Sequence, residues 1–239
     1  MLIAEQILQN ALANILDRSV YFICRGGWWA NMGRTAGARN TDYAARRTGL
    51  IAKLKSRLSL QDGEPSSYRD LALAAQVSVP TLRHYFGSRE QLIKAIFAQS
   101  LEAGAVHLTR AKAPEAGDLE SSLTGFLCRL VSGWTAGKVG DLHRIGLAEG
   151  LRSPVTGLNY LTDVLEPTLQ AVEVRLTKYH ALALIVDCDI RHAALMLVSP
   201  IILALLHQHD LGGVRCRPLA IPALIEEHVR VFARAYRKL

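Results

Sequence analysis

The stretch from residue 67 to 86 constrains this chain most, because it reads SYRDLALAAQVSVPTLRHYF. Ser67 can cap a helix, with Asp70 as the reciprocal cap three residues later. Gln76 then interrupts the helical pattern, and Ser78 can cap a second helix. The stretch therefore predicts a helix, a tight turn and a second short helix. Proteins use that unit mainly to place one helix in the major groove of DNA.

The second helix of the unit divides into an apolar and a polar side. Leu82 and Phe86 are four residues apart and are expected to face the core. The remaining side chains carry hydrogen-bond donors, as a helix that faces bases and phosphates requires, and they are Thr81, Arg83, His84 and Tyr85. Ser67, at the start of the first helix, is a further candidate DNA contact. For Arg83, a two-point contact to guanine and a single phosphate contact both remain open.

The residues after the second helix predict a third one. Gly87 is expected to end the second helix, since glycine accepts the left-handed conformation. Ser88 can cap the next helix, and Arg89 stands at its start. Backbone N–H groups point outward at such a position, so Arg89 is predicted to suit a phosphate.

Beyond these local signals, the chain resembles the TetR/AcrR family of bacterial transcriptional regulators. The match lies in YRDLALAAQVSVPTLRHYFGSREQLIKAIF, residues 68–97, and its most specific part is the run from 82 to 92. The resemblance is close over residues 44–101 and weaker elsewhere. It implies an all-α homodimer with an N-terminal three-helix helix-turn-helix domain and a larger C-terminal domain for ligand binding and dimerisation.

The resemblance also implies site residues. Thr81, His84 and Tyr85 would contact DNA, and Arg89 would replace the usual lysine of the family as a phosphate contact. The chain departs from the family pattern at Gln76, where glycine is usual. If the backbone there has a positive φ, a residue other than glycine costs free energy.

Basic charge is concentrated just before the helix-turn-helix. The whole chain carries +7, and residues 34–57 hold seven Lys or Arg against one Asp, a net +6. This stretch includes Arg46 and Arg47, and it is predicted to act as a basic arm that neutralises phosphates or enters the minor groove. A solvated basic face is the competing interpretation. The predicted domains are 1–43 (extension and arm), 44–104 (DNA-binding) and 105–239 (regulation and dimerisation).

The first thirty or so residues are a separate question. Residues 2–16 could form a short amphipathic helix, and the polar residues in it argue against a secretory segment. Because the family-like stretch starts near Met32, we expect that the natural start could be Met32 and that residues 1–31 are an extension.

The rest of the chain predicts helices separated by glycine and proline. The expected helices are 88–110, 118–136, 141–150, 153–178 with a kink or break at Pro167, 187–209 with an internal Pro200, and 221–237. The last two of them are predicted to form a four-helix dimer interface, since both are strongly apolar. Packing in the core of a monomer is the alternative.

The resemblance implies a pocket for an unknown small-molecule effector between the later helices. The polar and aromatic candidates for its lining are Phe126, Trp134, His143, Arg144, Glu149 and Tyr160. For each of them, ordinary packing is the competing interpretation. His207 and His209 do not share a helix face, so no metal and no cofactor is predicted.

Other classes of protein receive less support. No nucleotide-binding glycine loop, HExxH or GxSxG motif occurs, so no enzyme is predicted. The four cysteines have no metal spacing and suit a reduced bacterial cytoplasm, and the apolar run 193–206 is too short for a membrane span. The prediction is a repressor that binds a palindromic operator in double-stranded DNA at the nucleoid and is released by a ligand. A helical interaction protein with a degenerate helix-turn-helix is the alternative.

Overall fold

The computed structural model describes residues 36–60, 66–115 and 117–238, with side chains from residue 42 onward. The described segments are helical, with one isolated bridge between Ile185 and Arg237. The helices are α1 (Ala36–Ser59), α2 (Tyr68–Ala74), α3 (Val79–Phe86), α4 (Arg89–Ala111), α5 (Leu119–Thr135), α6 (Val139–Gly150), α7 (Pro154–Tyr160), α8 (Glu166–Ala181), α9 (Ile190–Leu205), α10 (Gly213–Cys216) and α11 (Ile221–Tyr236). The all-α fold class is confirmed.

The basic stretch before the helix-turn-helix is a helix rather than an arm from Ala36 onward. Leu50, Ile51 and Leu54 bury one face of α1, and this spacing of three and four residues stabilises a helix by packing. The basic side chains of residues 46–57 are therefore displayed on a helix. The predicted helix over residues 2–16 and the question of Met32 lie outside the described residues.

The described residues from Asp42 onward form one compact unit. The core of the helix-turn-helix includes Leu71, Leu82 and Leu92, none of which is exposed. The same cluster continues into the later helices through Ile145 of α6 and Tyr160 of α7. The apolar packing thus crosses the boundary that we predict at residue 104.

A second core lies within the C-terminal helices. It is built from α5, α8, α9 and α11, with Leu123, Leu176, Leu197 and Phe232 among its buried members. These are positions at helical spacing on the apolar faces, and burying them supplies the main stabilisation of this half.

The predicted helix over 153–178 is interrupted just before Pro167. Leu161–Leu165 form a π-helical turn, and the N–H of Glu166 donates to the carbonyl of Leu161. Proline has no N–H to continue the α pattern, so a wider turn next to it accommodates the lost hydrogen bond. The predicted kink or break at Pro167 is therefore present as a change of helix type.

The apolar helix α9 is longer than its run of apolar residues suggests. It continues through a second π-helical turn, Leu206–Asp210, so the stretch Ile190–Asp210 has 21 residues, and its most apolar window of 18 residues has a mean hydropathy of 1.7. By length and composition this longer stretch could cross a membrane, although the apolar run 193–206 within it is shorter. However, Leu197, Ile201 and Leu205 are fully buried against the other C-terminal helices, as in the core helix of a globular protein.

Candidate nucleic-acid interface

The first helix of the helix-turn-helix begins with the predicted pair of caps. The Ser67 hydroxyl accepts from the Asp70 N–H at 3.2 Å, and the Ser67 N–H donates to the Asp70 carboxylate at 2.8 Å. The hydroxyl also donates to that carboxylate at 2.7 Å, and these bonds from Ser67 lower the pKa of Asp70. Ser67 was predicted as a DNA contact, and its hydroxyl is already engaged in the cap.

The turn between the two helices has the strained residue that the sequence indicated. Gln76 has a φ of +59°, in the left-handed region that glycine adopts at little cost. Its N–H donates to the Leu73 carbonyl at 2.9 Å, and the Val77 N–H donates to the Ala72 carbonyl at 3.0 Å. The glycine-like turn of the motif therefore forms here with a glutamine in it.

The second helix, α3, presents a polar side over a buried apolar one. Leu82 is fully buried and Phe86 is 6% exposed, whereas Arg83 and His84 are exposed. Thr81 shares a hydrogen bond of 2.8 Å with Ser78, the cap of the helix. The donors on the outer side of α3 are thus available to bases and phosphates.

An aromatic cluster joins α3 to α1. The Tyr43 ring of α1 stacks on the Tyr85 ring, with centroids 4.8 Å apart and planes at 21°. It also meets the His84 ring edge-on at 6.0 Å. Tyr43 was not predicted as a site residue, because nothing in its sequence spacing links it to residues some forty positions later.

The two arginines predicted on the basic stretch lie in α1. Arg46 is exposed and pairs with Asp42 one turn earlier, at 3.1 Å. Arg47 is half-buried and holds its guanidinium 5.3 Å from the centre of the Phe86 ring of α3. Arg47 therefore links α1 to α3, and Arg46 remains at the surface near the same end of the helix.

Arg89 does not occupy the position that its predicted phosphate role requires. Its Nε and Nη2 atoms donate to both carboxylate oxygens of Glu149 in α6, at 2.9 Å and 2.6 Å, and Nη1 donates to the Ser66 carbonyl. In this structure the guanidinium is thus turned inward, toward the C-terminal helices. The local sequence predicted correctly that Arg89 stands at the start of a helix, but it did not predict the contact with Glu149.

The six predicted pocket residues do not line one cavity. Trp134, His143 and Tyr160 form one buried cluster: the Trp134 and His143 rings stack at 4.7 Å, and His143 Nδ1 is hydrogen-bonded to the Tyr160 hydroxyl at 2.7 Å. Burial lowers the pKa of His143 to about 4 and raises the pKa of Tyr160 to about 12. Both side chains are therefore neutral near pH 7.

The other three candidates lie elsewhere. Glu149 pairs with Arg89, and Arg144 binds Asp210 at 2.7 Å and the Ser59 carbonyl at 2.6 Å. Phe126 is buried beneath the guanidinium of Arg175, 5.1 Å from its ring centre. Arg144 and Glu149 thus tie α6 to the ends of α1 and α4, so they connect the two halves instead of facing a ligand. Among the described residues, no group of metal-ligating side chains is present.

These features define a helix-turn-helix unit with an exposed polar helix, followed by an all-helical C-terminal body. A sequence profile described as bacterial regulatory proteins of the tetR family matches residues 61–96. The matched residues span α2, α3 and the start of α4, so the helix-turn-helix of this chain is similar to that of TetR-family regulators. No curated protein sequence matches it.

Solved structures share the fold over most of the chain. A TetR-family transcriptional regulator from Mesorhizobium loti is 19% identical, with a TM-score of 0.63, and the match covers 82% of this chain and 98% of that one. Salmonella enterica GusR is 20% identical, with a TM-score of 0.61 and coverage of 80% and 96%. The flavonoid-responsive regulator FrrA is 24% identical, with a TM-score of 0.60 and coverage of 81% and 98%.

Proposed function

We propose that this regulator is a repressor that reads a palindromic operator as a homodimer. The observation that carries the proposal is the exposed polar side of α3, which presents Arg83 and His84 above a buried Leu82. The basic side chains of α1 adjoin it through Tyr43 and Arg47. In this proposal α3 reads base edges, and α1 fixes the register on the phosphates.

The homodimer would form through α9 and α11. Met196 and Leu203 lie two turns apart on α9 and are 61% and 65% exposed, and Val231 of α11 is 52% exposed. Exposed apolar side chains of this size on adjacent helices favour a self-complementary interface. The interface would use these exposed residues, since Ile225 and Phe232 are buried in the core of their own subunit.

Release by a small molecule would act through the C-terminal helices. Arg144 and Glu149 on α6 are bonded to the DNA-binding half at the Ser59 carbonyl and at Arg89. A ligand that favours another arrangement of the C-terminal helices would therefore shift the separation of the two α3 helices in the dimer. Operator affinity would fall by population shift. The protein would act at the bacterial nucleoid in the cytoplasm.

The test is selection of genomic fragments with the purified protein, compared with the double variant Arg83→Ala, Tyr85→Ala. A palindromic site enriched by the wild type and lost in the variant supports the proposal. The control is Arg152→Ala, which removes an exposed positive charge outside the helix-turn-helix. Enrichment of no site by the folded wild type would contradict operator binding and favour a helical interaction protein.

The proposal of a repressor also predicts the direction in which transcription changes. Transcription from a promoter that carries the selected site should fall when the wild type is added and should not fall with the double variant. Increased transcription would identify an activator instead.

A further inference from the structure

One arginine in the C-terminal body is completely buried. Arg175 of α8 has no exposed surface. Its Nε donates to the Ala111 carbonyl at 2.8 Å, and its Nη1 donates to the Tyr179 hydroxyl at 2.9 Å and the Ser122 hydroxyl at 3.2 Å. The Phe126 ring centre lies 5.1 Å from the guanidinium carbon.

The positive charge of this group has no negative partner among the described residues. An arginine stays protonated in proteins, and an isolated buried charge is costly unless it is paired. What surrounds Arg175 is a neutral set: one carbonyl at the C-terminal end of α4, two hydroxyls and an aromatic face. These partners reduce the cost but do not neutralise the charge.

The guanidinium also retains unused donors. Its Nη2 is buried and has no hydrogen-bond partner among the described residues. The other nitrogens serve three neutral oxygens, so an anion that accepted from Nη2 would supply both the missing acceptor and the missing charge. Hydrogen bonds between two charged groups are about twice as strong as neutral ones.

The surroundings define the rest of such a ligand. Phe126, whose ring lies against the guanidinium, belongs to a buried apolar cluster that also includes Leu123 and Leu176. A ligand that reached the guanidinium from within this cluster would bury an apolar body next to its acidic group. We propose that Arg175 is the binding site for the carboxylate of an amphiphilic organic acid, which is the effector class of this regulator. This inference rests on the proposed control by a small molecule.

The location of Arg175 gives the ligand a route to the DNA-binding half. Ala111, whose carbonyl accepts from Arg175, is the last residue of α4. The first residue of the same helix is Arg89, two positions after Gly87, which caps α3. A carboxylate that draws the guanidinium toward itself competes with this carbonyl and so alters the contact that holds the end of α4.

The experiment compares three carboxylates with their neutral alcohols on the purified full chain. The probes are octanoate, benzoate and 2-naphthoate, against 1-octanol, benzyl alcohol and 2-naphthalenemethanol. Calorimetry measures binding, and fluorescence anisotropy measures affinity for the operator. We expect at least one carboxylate to bind at least tenfold more tightly than its alcohol and to weaken operator binding at least tenfold.

Arg175→Met tests the site itself, because methionine keeps an apolar side chain and removes the buried charge. We expect this variant to fold and to bind the carboxylate at least tenfold more weakly than the wild type does. Arg152→Met is the matched control, since it removes an exposed charge from the same half. Circular dichroism and thermal melting establish that each variant is folded.

A second variant keeps the test decisive if Arg175→Met does not fold. Ser122→Ala removes a hydroxyl that accepts from Nη1 and frees a further donor, so it should preserve or strengthen carboxylate binding. The inference is overturned if no carboxylate binds at millimolar concentration, if the alcohols bind as tightly, or if folded Arg175→Met binds the carboxylate unchanged. Carboxylate binding without any effect on operator affinity would leave the site standing and refute the proposed effector control instead.

Discussion

The two halves of this protein, the helix-turn-helix together with α1 and the C-terminal body, differ in whether their polar side chains are exposed or buried. In the DNA-binding half, Arg46 of α1 and Arg83 and His84 of α3 are exposed, and Leu82 is buried among apolar residues. In the C-terminal body, by contrast, His143 and Arg175 are buried among apolar residues. A surface that binds DNA needs exposed hydrogen-bond donors. The stability of the C-terminal body depends instead on whether each buried polar group has its hydrogen-bond partners.

This contrast also shows where each half is fragile. Loss of an exposed donor changes binding to a partner and leaves the fold intact, because water replaces the missing contact. Loss or protonation of a buried group changes the fold itself. Four measurements can break or sharpen this distinction.

The largest expected effect is the pH dependence contributed by His143. Burial lowers its pKa to about 4 in the folded state, below an unfolded value of about 6.5. The unfolded chain therefore binds more protons between these values, and stability is lost as the pH falls from about 6.5 toward 4. Urea unfolding at pH 7.5 and pH 5 should differ by about 2 kcal/mol from this residue.

The variant His143→Gln should show a smaller loss between the same two pH values, by about that amount. His209→Gln is the matched control, since it makes the same substitution at an exposed histidine of the same half. If both variants lose stability on acidification as the wild type does, His143 is not a buried neutral group and the contrast between the halves is weakened.

The next effect concerns the ion pair that joins the halves. Arg89 and Glu149 have side chains only 21% and 12% exposed, and their two-point contact is partly shielded from water. A double-mutant cycle with Arg89→Ala and Glu149→Ala should give a coupling energy of roughly 1 to 2 kcal/mol in unfolding.

The matched control is the pair Arg230 and Glu227, whose side chains are 51% and 58% exposed. Its cycle should give roughly 0 to 0.5 kcal/mol, since exposed pairs are screened and cost side-chain entropy. Equal couplings for the two pairs would mean that burial does not distinguish the contact between the halves from an ordinary surface pair.

A third effect comes from the strained turn of the helix-turn-helix. Gln76 has a φ of +59°, so Gln76→Gly should raise the free energy of unfolding by roughly 0.5 to 1 kcal/mol. Ala98→Gly in α4 is the opposite control, because Ala98 is exposed inside a helix and the change should cost about 1 kcal/mol. Destabilisation by both changes would show that this turn stores no strain.

The last effect, which is on operator binding and not on unfolding, tests whether the exposed half also relies on packing for function. Tyr43→Ala removes the ring that stacks on Tyr85 at 4.8 Å, and operator affinity should fall three- to tenfold, or about 1 kcal/mol. Tyr43→Phe keeps the stack and should bind the operator as the wild type does. A loss in Tyr43→Phe equal to that in Tyr43→Ala would identify the hydroxyl as the DNA contact and not the ring as a positioning group.

Local signals in the sequence were sufficient for the helix-turn-helix. The caps at Ser67 and Ser78 and the end of α3 at Gly87 are found as predicted, and Gln76 has a positive φ. Each involves residues within one or two turns of each other, where the backbone fixes the distance between partners. The resemblance to the TetR/AcrR family rests on the same stretch, and it is confirmed.

The predicted ligand pocket shows where sequence reasoning stops. Residue types alone suggested polar and aromatic candidates for the lining of a pocket. In the structure, Glu149 is paired with Arg89, and Arg144 is paired with Asp210. Arg175, which is the most completely buried charge, was not among the candidates, because a lone arginine on a helix looks like a surface residue.

The sequence by itself determined the two helices of the helix-turn-helix, their caps and the face of α3 that is polar, since these depend on neighbours within a few residues. Only the tertiary structure decided that Arg89 contacts a residue 60 positions away and that Arg175 contacts a carbonyl 64 positions away. Such pairings depend on how helices pack against each other, and packing is set by the volumes and shapes of many side chains together. The spacing of residues along the chain does not show which distant residues will pair.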